Sequence, residues 1–280
     1  MVAKLRGILK QRRIGHAGTL DPMATGLLVV AVGPATRLLR FATDTEKTYT
    51  GTVKLGEATD SLDADGVVMA SAPVPDLTLA QAQLAANTLQ GQQQQIPPMV
   101  SAIKIDGKKL YELAREGQEV EREPRDITVF DFTIEATTDP ELWNFSVTVT
   151  PGTYVRVLLA DWAERLGTLG HLVALRRTAS GASTVSIAYS LEQIQELVAA
   201  GQDVLQPPLE MTKQFASVTV DTQIEMAIRQ GKMIDIEVSG EHHYVNAVDE
   251  SGELVAILRP KNGRWQPDVV LANEPPLRRS

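Results

Sequence analysis

The chain contains no cysteine in its 280 residues. That excludes disulfides, thiolate catalysis and cysteine-ligated zinc. No apolar run approaches the roughly 18 residues that a membrane-spanning helix needs. No signal peptide is visible either, so a cytoplasmic protein without a membrane partner is expected. An excess of positive charge is also missing: 27 Lys and Arg against 35 Asp and Glu give a net charge of −8. That argues against a surface coated in positive charge for nucleic acid. Acids, in turn, are missing from one place: from residue 1 to residue 43 the sole acid is Asp21.

What is there centres on that acid. Gly15-His16-Ala17-Gly18-Thr19-Leu20-Asp21-Pro22 sets one carboxylate and one histidine among residues that break regular structure. Gly allows backbone angles closed to other residues, and Pro22 biases Asp21 away from helix. A tight, irregular loop is expected, followed by a buried strand over the apolar run Leu27 to Val32. A loop fixed on a rigid element is a common place for chemistry. An Asp in such a loop is also an ordinary turn former. Around it, residues 1 to 41 carry Lys4, Arg6, Lys10, Arg12, Arg13, Arg37 and Arg40. Phosphate binding needs such a local field rather than a positive total, although a solvated basic helix has the same composition. Apolar spacing at Val2, Leu5, Ile8 and Leu9 predicts a helix over residues 1 to 13.

Further along, Ala35 to Phe41 reads as a short helix and Lys47 to Gly56 as an alternating strand carrying Tyr49. Thr59 to Gly66 is acidic, but a calcium loop starting at Ser61 would lack its first acid and put Ala72 where the bidentate Glu belongs. An acidic turn and no metal are expected there. Residues 78 to 89 read as a helix. Ile96 to Lys104 is expected to be extended, with a hairpin and short helix after it that ends at Gly117. Lys104, Lys108 and Lys109 there are candidate phosphate contacts or plain surface lysines. Arg125 to Phe132 and Trp143 to Thr150 pair as a hairpin, leading into a strand-to-helix turn with Tyr154 and Arg156 at the helix mouth. Leu191 to Ala200 is a helix, Pro207-Pro208 a linker. From about Phe215 a smaller β-rich unit follows, with a helix at Ile224 to Arg229 and strands near Ile234 to Val238, Tyr244 to Asp249 and Glu253 to Leu258. The expected fold is α+β: residues 1–208 as one domain with a mixed, mainly antiparallel sheet, and residues 209–280 as a small β-rich domain.

Several of these segments resemble one family. Gly15 to Leu38 (GHAGTLDPMATGLLVVAVGPATRL) is similar to the signature of the TruB family of pseudouridine synthases. Gln95 to Gly117 resembles that family's Q-x-P-x-x-S-A-x-K block, Pro151 to Gly167 its G-T-Y-(I/V)-R turn, and His171 to Gly181 its H-(L/V)-x-x-L-R-R segment. The likeness covers roughly residues 4 to 185. The family's strand and turn before the first helix, with a DKP-type motif, are not in this sequence, and a sheet edge or hydrophobic face is expected to lie uncovered there.

The resemblance implies isomerisation of a uridine in the T loop of tRNA (uridine 55) to pseudouridine, with no cofactor. It implies that Asp21 is the catalytic carboxylate, by attack at C1′ or by elimination through the 2′ position; the residues fit both routes. It places Tyr49 below the target base, to stack and to assist removal of the C5 proton, although a phenol with a pKa near 10 is a poor base unless tuned. Tyr154 would stack near the flipped base, Leu175 pack against it, and His16 help displace it from its stack. Arg156 would pair with Asp21; a guanidinium orients a carboxylate and favours its ionised form. Arg12, Arg13, Lys104, Lys108, Lys109, Arg176 and Arg177 are the expected RNA contacts, the last two in a structural or RNA-facing role. The C-terminal unit resembles the family's small RNA-binding domain, often PUA-like. A monomer binding the T-arm stem-loop, with no obligate protein partner, is expected. Two other readings remain at this point. A glycosidase also uses carboxylates at an anomeric centre, but normally two of them, and Asp21 has no acidic neighbour in sequence. A non-catalytic RNA-binding or tRNA-folding protein could present the same surface.

Overall fold

The computed structural model describes residues 1–272 except Ala102, Asp106 and Glu119; for Lys104, Ile105, Lys109, Tyr111, Ala114 and Arg115 it describes the backbone alone. The fold is α+β. Two compact units form, interleaved along the chain: one comprises Met1–Thr19, Leu28–Asp44 and Ser180–Ser280, the other Leu20–Leu27 and Thr45–Ala179. This grouping differs from a division after residue 208, because the N-terminal segments and the C-terminal third belong to one contact network. No helix among the described residues is long and apolar enough to cross a membrane.

In the second unit the strands Gly170–Ser180, Lys47–Leu55, Leu142–Val149, Arg125–Ala136 and Gly91–Gln95 lie side by side in that order. Lys47–Leu55 pairs antiparallel with Leu142–Val149, Tyr49 opposite Val147. Alternation along these strands buries Val53, Leu55, Phe132, Ile134, Trp143, Phe145 and Val147 on one face, as the two-residue period of a strand requires. Onto that face pack the helices Leu79–Asn87 and Val155–Arg165, through Ala82, Ala86, Leu158, Leu159 and Trp162. The first begins with a capping box, Thr78 and Gln81 each satisfying the other's backbone. Trp162 donates its indole N–H to the Ala82 carbonyl at 3.0 Å and so ties one helix to the other. The site's rigid floor is this sheet with its helix layer.

In the first unit the helix is Val2–Ile8, shorter than the 1–13 expected. Lys10 takes a left-handed φ of 48°, and the chain then enters a strand, Ile14–Ala17, antiparallel to Val29–Val32 with His16 opposite Val30. The glycine-rich stretch therefore starts as strand rather than loop; pairing with the apolar run overrides the local preference of Gly15. A 3-10 turn, Gly33–Leu38, and the helix Leu39–Thr43 replace the single helix expected at 35–41. The C-terminal strands are Ala216–Thr219, Val245–Val248, Leu254–Lys261 and Arg264–Val270, in that order, beside the helix Thr222–Arg229. Residues 234–238 contribute only a single bridge, Ile234 to Trp265, in place of the strand expected.

Candidate active site

The segment Leu20–Leu27 is fixed at both ends within its unit. Leu20, Met23 and Ala24 pack on the sheet's apolar core, and Ala24 donates its N–H to the Asp21 carbonyl at 3.0 Å, closing a turn over Pro22. Thr25 and Gly26 pair in parallel with Arg176 and Arg177. Leu27 donates to the Arg177 carbonyl at 2.8 Å, and Arg177 Nε donates back to the Leu27 carbonyl at 2.8 Å. Gly26 is required here: its φ is +96°, and a Cβ would lie 2.2 Å from the Arg177 carbonyl oxygen. Apolar packing and a two-way clasp thus leave the Asp21 carboxylate little freedom, while 32% of that side chain stays exposed.

Arg156 meets it. It is the second residue of the helix Val155–Arg165, whose buried face holds the arginine stem against the core. Arg156 Nε donates to Asp21 Oδ2 at 2.9 Å and Nη2 to Oδ1 at 3.1 Å, a bidentate pair. Nη1 also donates to the Ser61 carbonyl at 2.5 Å, and Nη2 to the Val100 carbonyl at 3.0 Å. A second carboxylate, Asp63, lies 3.3 Å from Nη1 and is itself 7% exposed. Ser61 Oγ donates to Asp63 Oδ1 at 2.5 Å, and the Asp65 N–H at 3.2 Å. The arrangement is one buried cation between two carboxylates, of which only Asp21 reaches solvent.

The start of that helix is held from another element. Tyr154, its N-cap residue, makes no side-chain cap bond. Instead the buried Gln95 amide accepts the Tyr154 N–H at 2.8 Å and donates to the Tyr154 carbonyl at 3.1 Å. Gln95 ends the edge strand Gly91–Gln95, so an edge of the sheet sets where Arg156 begins. Tyr154 itself is half-buried.

Tyr49 and Leu175 are 8% and 6% exposed and lie in the same core as Leu20 and Met23. Burial pushes the Tyr49 hydroxyl above its usual value of 10.0; a hydrogen bond and the charge of Arg177 oppose this, and the Asp21 charge adds to it. The phenol therefore stays protonated at neutral pH. In this state it is a hydrogen-bonding group.

Among the expected RNA contacts, Arg176 is exposed. Arg177 is a correction: it has no exposed surface, because alternation along Gly170–Ser180 turns it inward where Arg176 faces out. Lys108 is exposed, 3.6 Å from Glu116; the side chains of Lys104 and Lys109 lie outside the described residues. Three further candidates belong to the other unit. Arg12 is exposed, Arg13 donates its Nε to Thr36 Oγ1 at 2.7 Å, and His16 is half-buried with a buried Nδ1 that has no hydrogen-bond partner among the described residues. Among the described residues no group of three or more His, Cys, Asp or Glu could hold a metal ion.

A family model described as "TruB family pseudouridylate synthase (N terminal domain)" matches residues 6–155, over half of the chain. The chain belongs to the TruB family of pseudouridine synthases. Its TruB relatives include tRNA pseudouridine synthase B of Streptococcus thermophilus (strain CNRZ 1066), 39% identical over 276 residues that cover 97% of this chain and 93% of that one. The enzyme of the same name from Opitutus terrae is 48% identical over 197 residues, 70% of this chain and 81% of its own. Among solved structures, a chain of a Cbf5-Nop10-Gar1 complex matches with a TM-score of 0.71 at 21% identity, covering 98% of this chain and 79% of that one. A chain of an H/ACA RNP bound to a substrate RNA containing 2′-deoxyuridine gives 0.72 at 18% identity, with 99% and 81% covered. At such identities the likeness is one of fold.

Two residues of this TruB-family site escape a reading of the sequence. Asp63 sits in the stretch Thr59 to Gly66, read as an acidic turn without metal, with Asp60 and Asp65 as identical neighbours in kind. Gln95 is one of four successive glutamines, and only the strand period, which turns Gln93 and Gln95 inward, could single it out.

Proposed function

We propose that this chain isomerises a uridine of tRNA, uridine 55 in the T loop, to pseudouridine. The observation that carries the reading is Asp21: a partly exposed carboxylate whose two oxygens are both fixed by one buried arginine. The target uridine must first leave the folded T loop, since its C1′ is out of reach while the base is stacked. Asp21 then acts at the ribose. In one route an oxygen of Asp21 bonds to C1′ as the C1′–N1 bond breaks, and the uracil leaves with the bonding electron pair. In the other, Asp21 removes the 2′ proton and the base is eliminated. The detached base turns over and C5 bonds to C1′, which breaks the Asp21–C1′ bond in the first route and, in the second, goes with return of the proton from Asp21 to C2′; the C5 proton is then lost and N1 takes one up. Reactant and product are isomers, so the balance needs no oxidant, reductant or second substrate.

Arg156 supports either route by orientation: a carboxylate held at two points presents a constant direction to C1′. Asp63 and the Ser61 and Val100 carbonyls hold Arg156 in turn. Leu175 and Tyr154 offer an apolar and an aromatic surface for the base, and Tyr49 a protonated hydroxyl beside it. His16, Arg12, Arg13, Arg176 and Lys108 are proposed to meet the RNA, Lys104 and Lys109 with them. We take residues 1–208 as the catalytic part and 209–280 as an RNA-binding part, in a cytoplasmic monomer.

The test is an unmodified T-arm stem-loop RNA incubated with the wild-type protein and with Asp21→Asn. Pseudouridine is then mapped by carbodiimide modification and primer extension. One modified uridine with wild type, none with Asp21→Asn and equal RNA binding by both is the expected result. Binding by both proteins without product would replace this reading with a non-catalytic RNA-binding protein.

A further inference from the structure

The buried Nδ1 of His16 has no hydrogen-bond partner among the described residues, so no bond at that atom sets the direction of the ring. The backbone of its strand has to do so. That strand, Ile14–Ala17, pairs only with Val29–Val32 among the described residues, and a two-stranded ribbon is marginal on its own. Behind it stands the helix Leu39–Thr43. A Cβ built on Gly15 would lie 2.5 Å from Leu39 Cδ1, and the other atom within 4 Å also belongs to Leu39. The leucine thus rests on the bare main chain of Gly15. Strand alternation turns residues 15 and 16 to opposite faces, so Leu39 backs the strand on the side away from the His16 ring.

A helix of five residues without a side-chain cap has little stability of its own. Its place comes from the C-terminal strands. Leu38 and Phe41, which flank Leu39, are buried in one core with Val248, Ile257 and Val269. Phe41 meets Phe215 and Tyr244 edge-on, with ring centres 5.4 and 5.0 Å away. Arg37 donates Nη1 to the Val270 carbonyl at 2.6 Å, and Arg40 pairs with Asp268.

We propose that Leu39 is a positioning residue for the isomerisation: it sets the strand that aims His16 at the RNA, and the C-terminal core holds it there. This rests on the function proposed above, and it gives residues 209–280 a task besides binding RNA. Leu39 acts through His16, not by contact with the substrate.

The experiment moves volume from the helix to the strand. Gly15 has no positive φ, so its backbone accepts alanine. Single-turnover pseudouridine formation on the T-arm RNA, at saturating protein, is measured for wild type, Gly15→Ala, Leu39→Ala and the double variant, each with and without His16→Ala. Each single variant should lose about 10-fold in rate. That is less than the roughly 100-fold that a shift of about 1 Å costs a reacting group, because His16 does not bond to the reacting atoms. The double variant, in which the new methyl fills space that Leu39 vacates, should stay within about threefold of wild type, where independent effects would multiply to about 100-fold. With His16→Ala present, each single change should cost less than about twofold. Phe41→Leu keeps the burial and drops the edge-on ring contacts; it should lose about threefold with His16 present and nothing without it. A further readout needs no activity: the Hε1 proton resonance of His16, assigned by its disappearance in His16→Ala, should move in Leu39→Ala at constant pH. An unmoved resonance, losses that multiply, or equal losses with and without His16 overturn the positioning role and leave the function standing. If wild type yields no product, the function falls and the positioning role with it.

Discussion

Replacing Gln95 by Met tests whether the sheet edge sets the arginine that holds Asp21. The two side chains are close in length and volume, so the packing of the buried position is kept. What is lost is a pair of hydrogen bonds, 2.8 Å from the Tyr154 N–H and 3.1 Å to its carbonyl. Each bond contributes about 1 kcal/mol net, and a donor or acceptor left unpaired costs about 1–3 kcal/mol where water cannot reach it. Tyr154 is half-buried, so water recovers part of this, and a loss of about 2–3 kcal/mol follows. For a unit of this size that is a fall of about 5–10 °C in Tm, read by circular dichroism. The functional consequence is larger than the thermal one. Tyr154 precedes Arg156 by two residues, and the helix has no side-chain cap of its own. A start that frays there moves the Arg156 fork off Asp21, and a displacement of about 1 Å costs on the order of 100-fold in rate. The assay is single-turnover pseudouridine formation well below the variant's Tm, with RNA affinity measured alongside. Gln95→Glu is the companion variant: it keeps an acceptor for the Tyr154 N–H, sets a second acceptor against the carbonyl, and should also lose rate. A Gln95→Met protein that unfolds within about 1 °C of wild type, or that keeps the wild-type rate, would refute the reasoning.

Three other outcomes follow from the same geometry. Asp63→Asn removes the buried carboxylate beside Arg156, so the rate should fall at least about 10-fold, the order expected for loss of a charged hydrogen-bond partner, with RNA affinity unchanged; a fall in affinity alone would sink the idea. Gly26→Ala sets a Cβ 2.2 Å from the Arg177 carbonyl at φ +96° and should cost more than about 2 kcal/mol. Gly91→Ala, at φ +94° with open space around it, should cost only the strain of about 1–2 kcal/mol, and equal losses from both, by denaturant unfolding, would count against the clasp. Tyr49 should be late to ionise among the five tyrosines in an ultraviolet titration, and Tyr49→Phe should remove that late step. Because burial raises its folded value above 10.0, its contribution to stability is full below pH 10 and is lost as the pH climbs from there through the folded value.

The Asp21 segment was legible as a candidate site because its residue types are rare together: glycines, a proline and a lone acid at fixed spacing, followed by an apolar run. The strand carrying Tyr49 and the hairpin of Arg125–Ala136 with Leu142–Val149 were legible from period-two alternation. The pairing of Asp21 with Arg156, 135 positions apart, was reached through the family pattern; no local preference encodes such a distance. Burial of individual polar side chains was not legible at all. Arg176 and Arg177 are the same residue type side by side, and only the register of the strand decides that one faces water and the other the core. Asp63 differs from Asp60 and Asp65 only through its partner, which the sequence holds far away. The stretch Gly15–Ala17 was misread as loop because its strand character comes from the Val29–Val32 partner, not from its own residues.

The bonding of Arg156 has a consequence for how RNA and catalysis are coupled. A guanidinium has five N–H groups, and here each faces an acceptor: both oxygens of Asp21, the carbonyls of Ser61 and Val100, and Asp63. The donor set is saturated. Any phosphate, sugar hydroxyl or base oxygen that binds this arginine has to displace one of the five. Bringing RNA to Arg156 is therefore an exchange reaction, and its equilibrium is set by the weakest present acceptor rather than by the attraction of the newcomer. If the acceptor displaced is Asp21, that carboxylate is set free in proportion to RNA occupancy; if it is Asp63, the grip on Asp21 is reset instead. Either way, the state of the carboxylate and the occupancy of the site become two readings of one equilibrium.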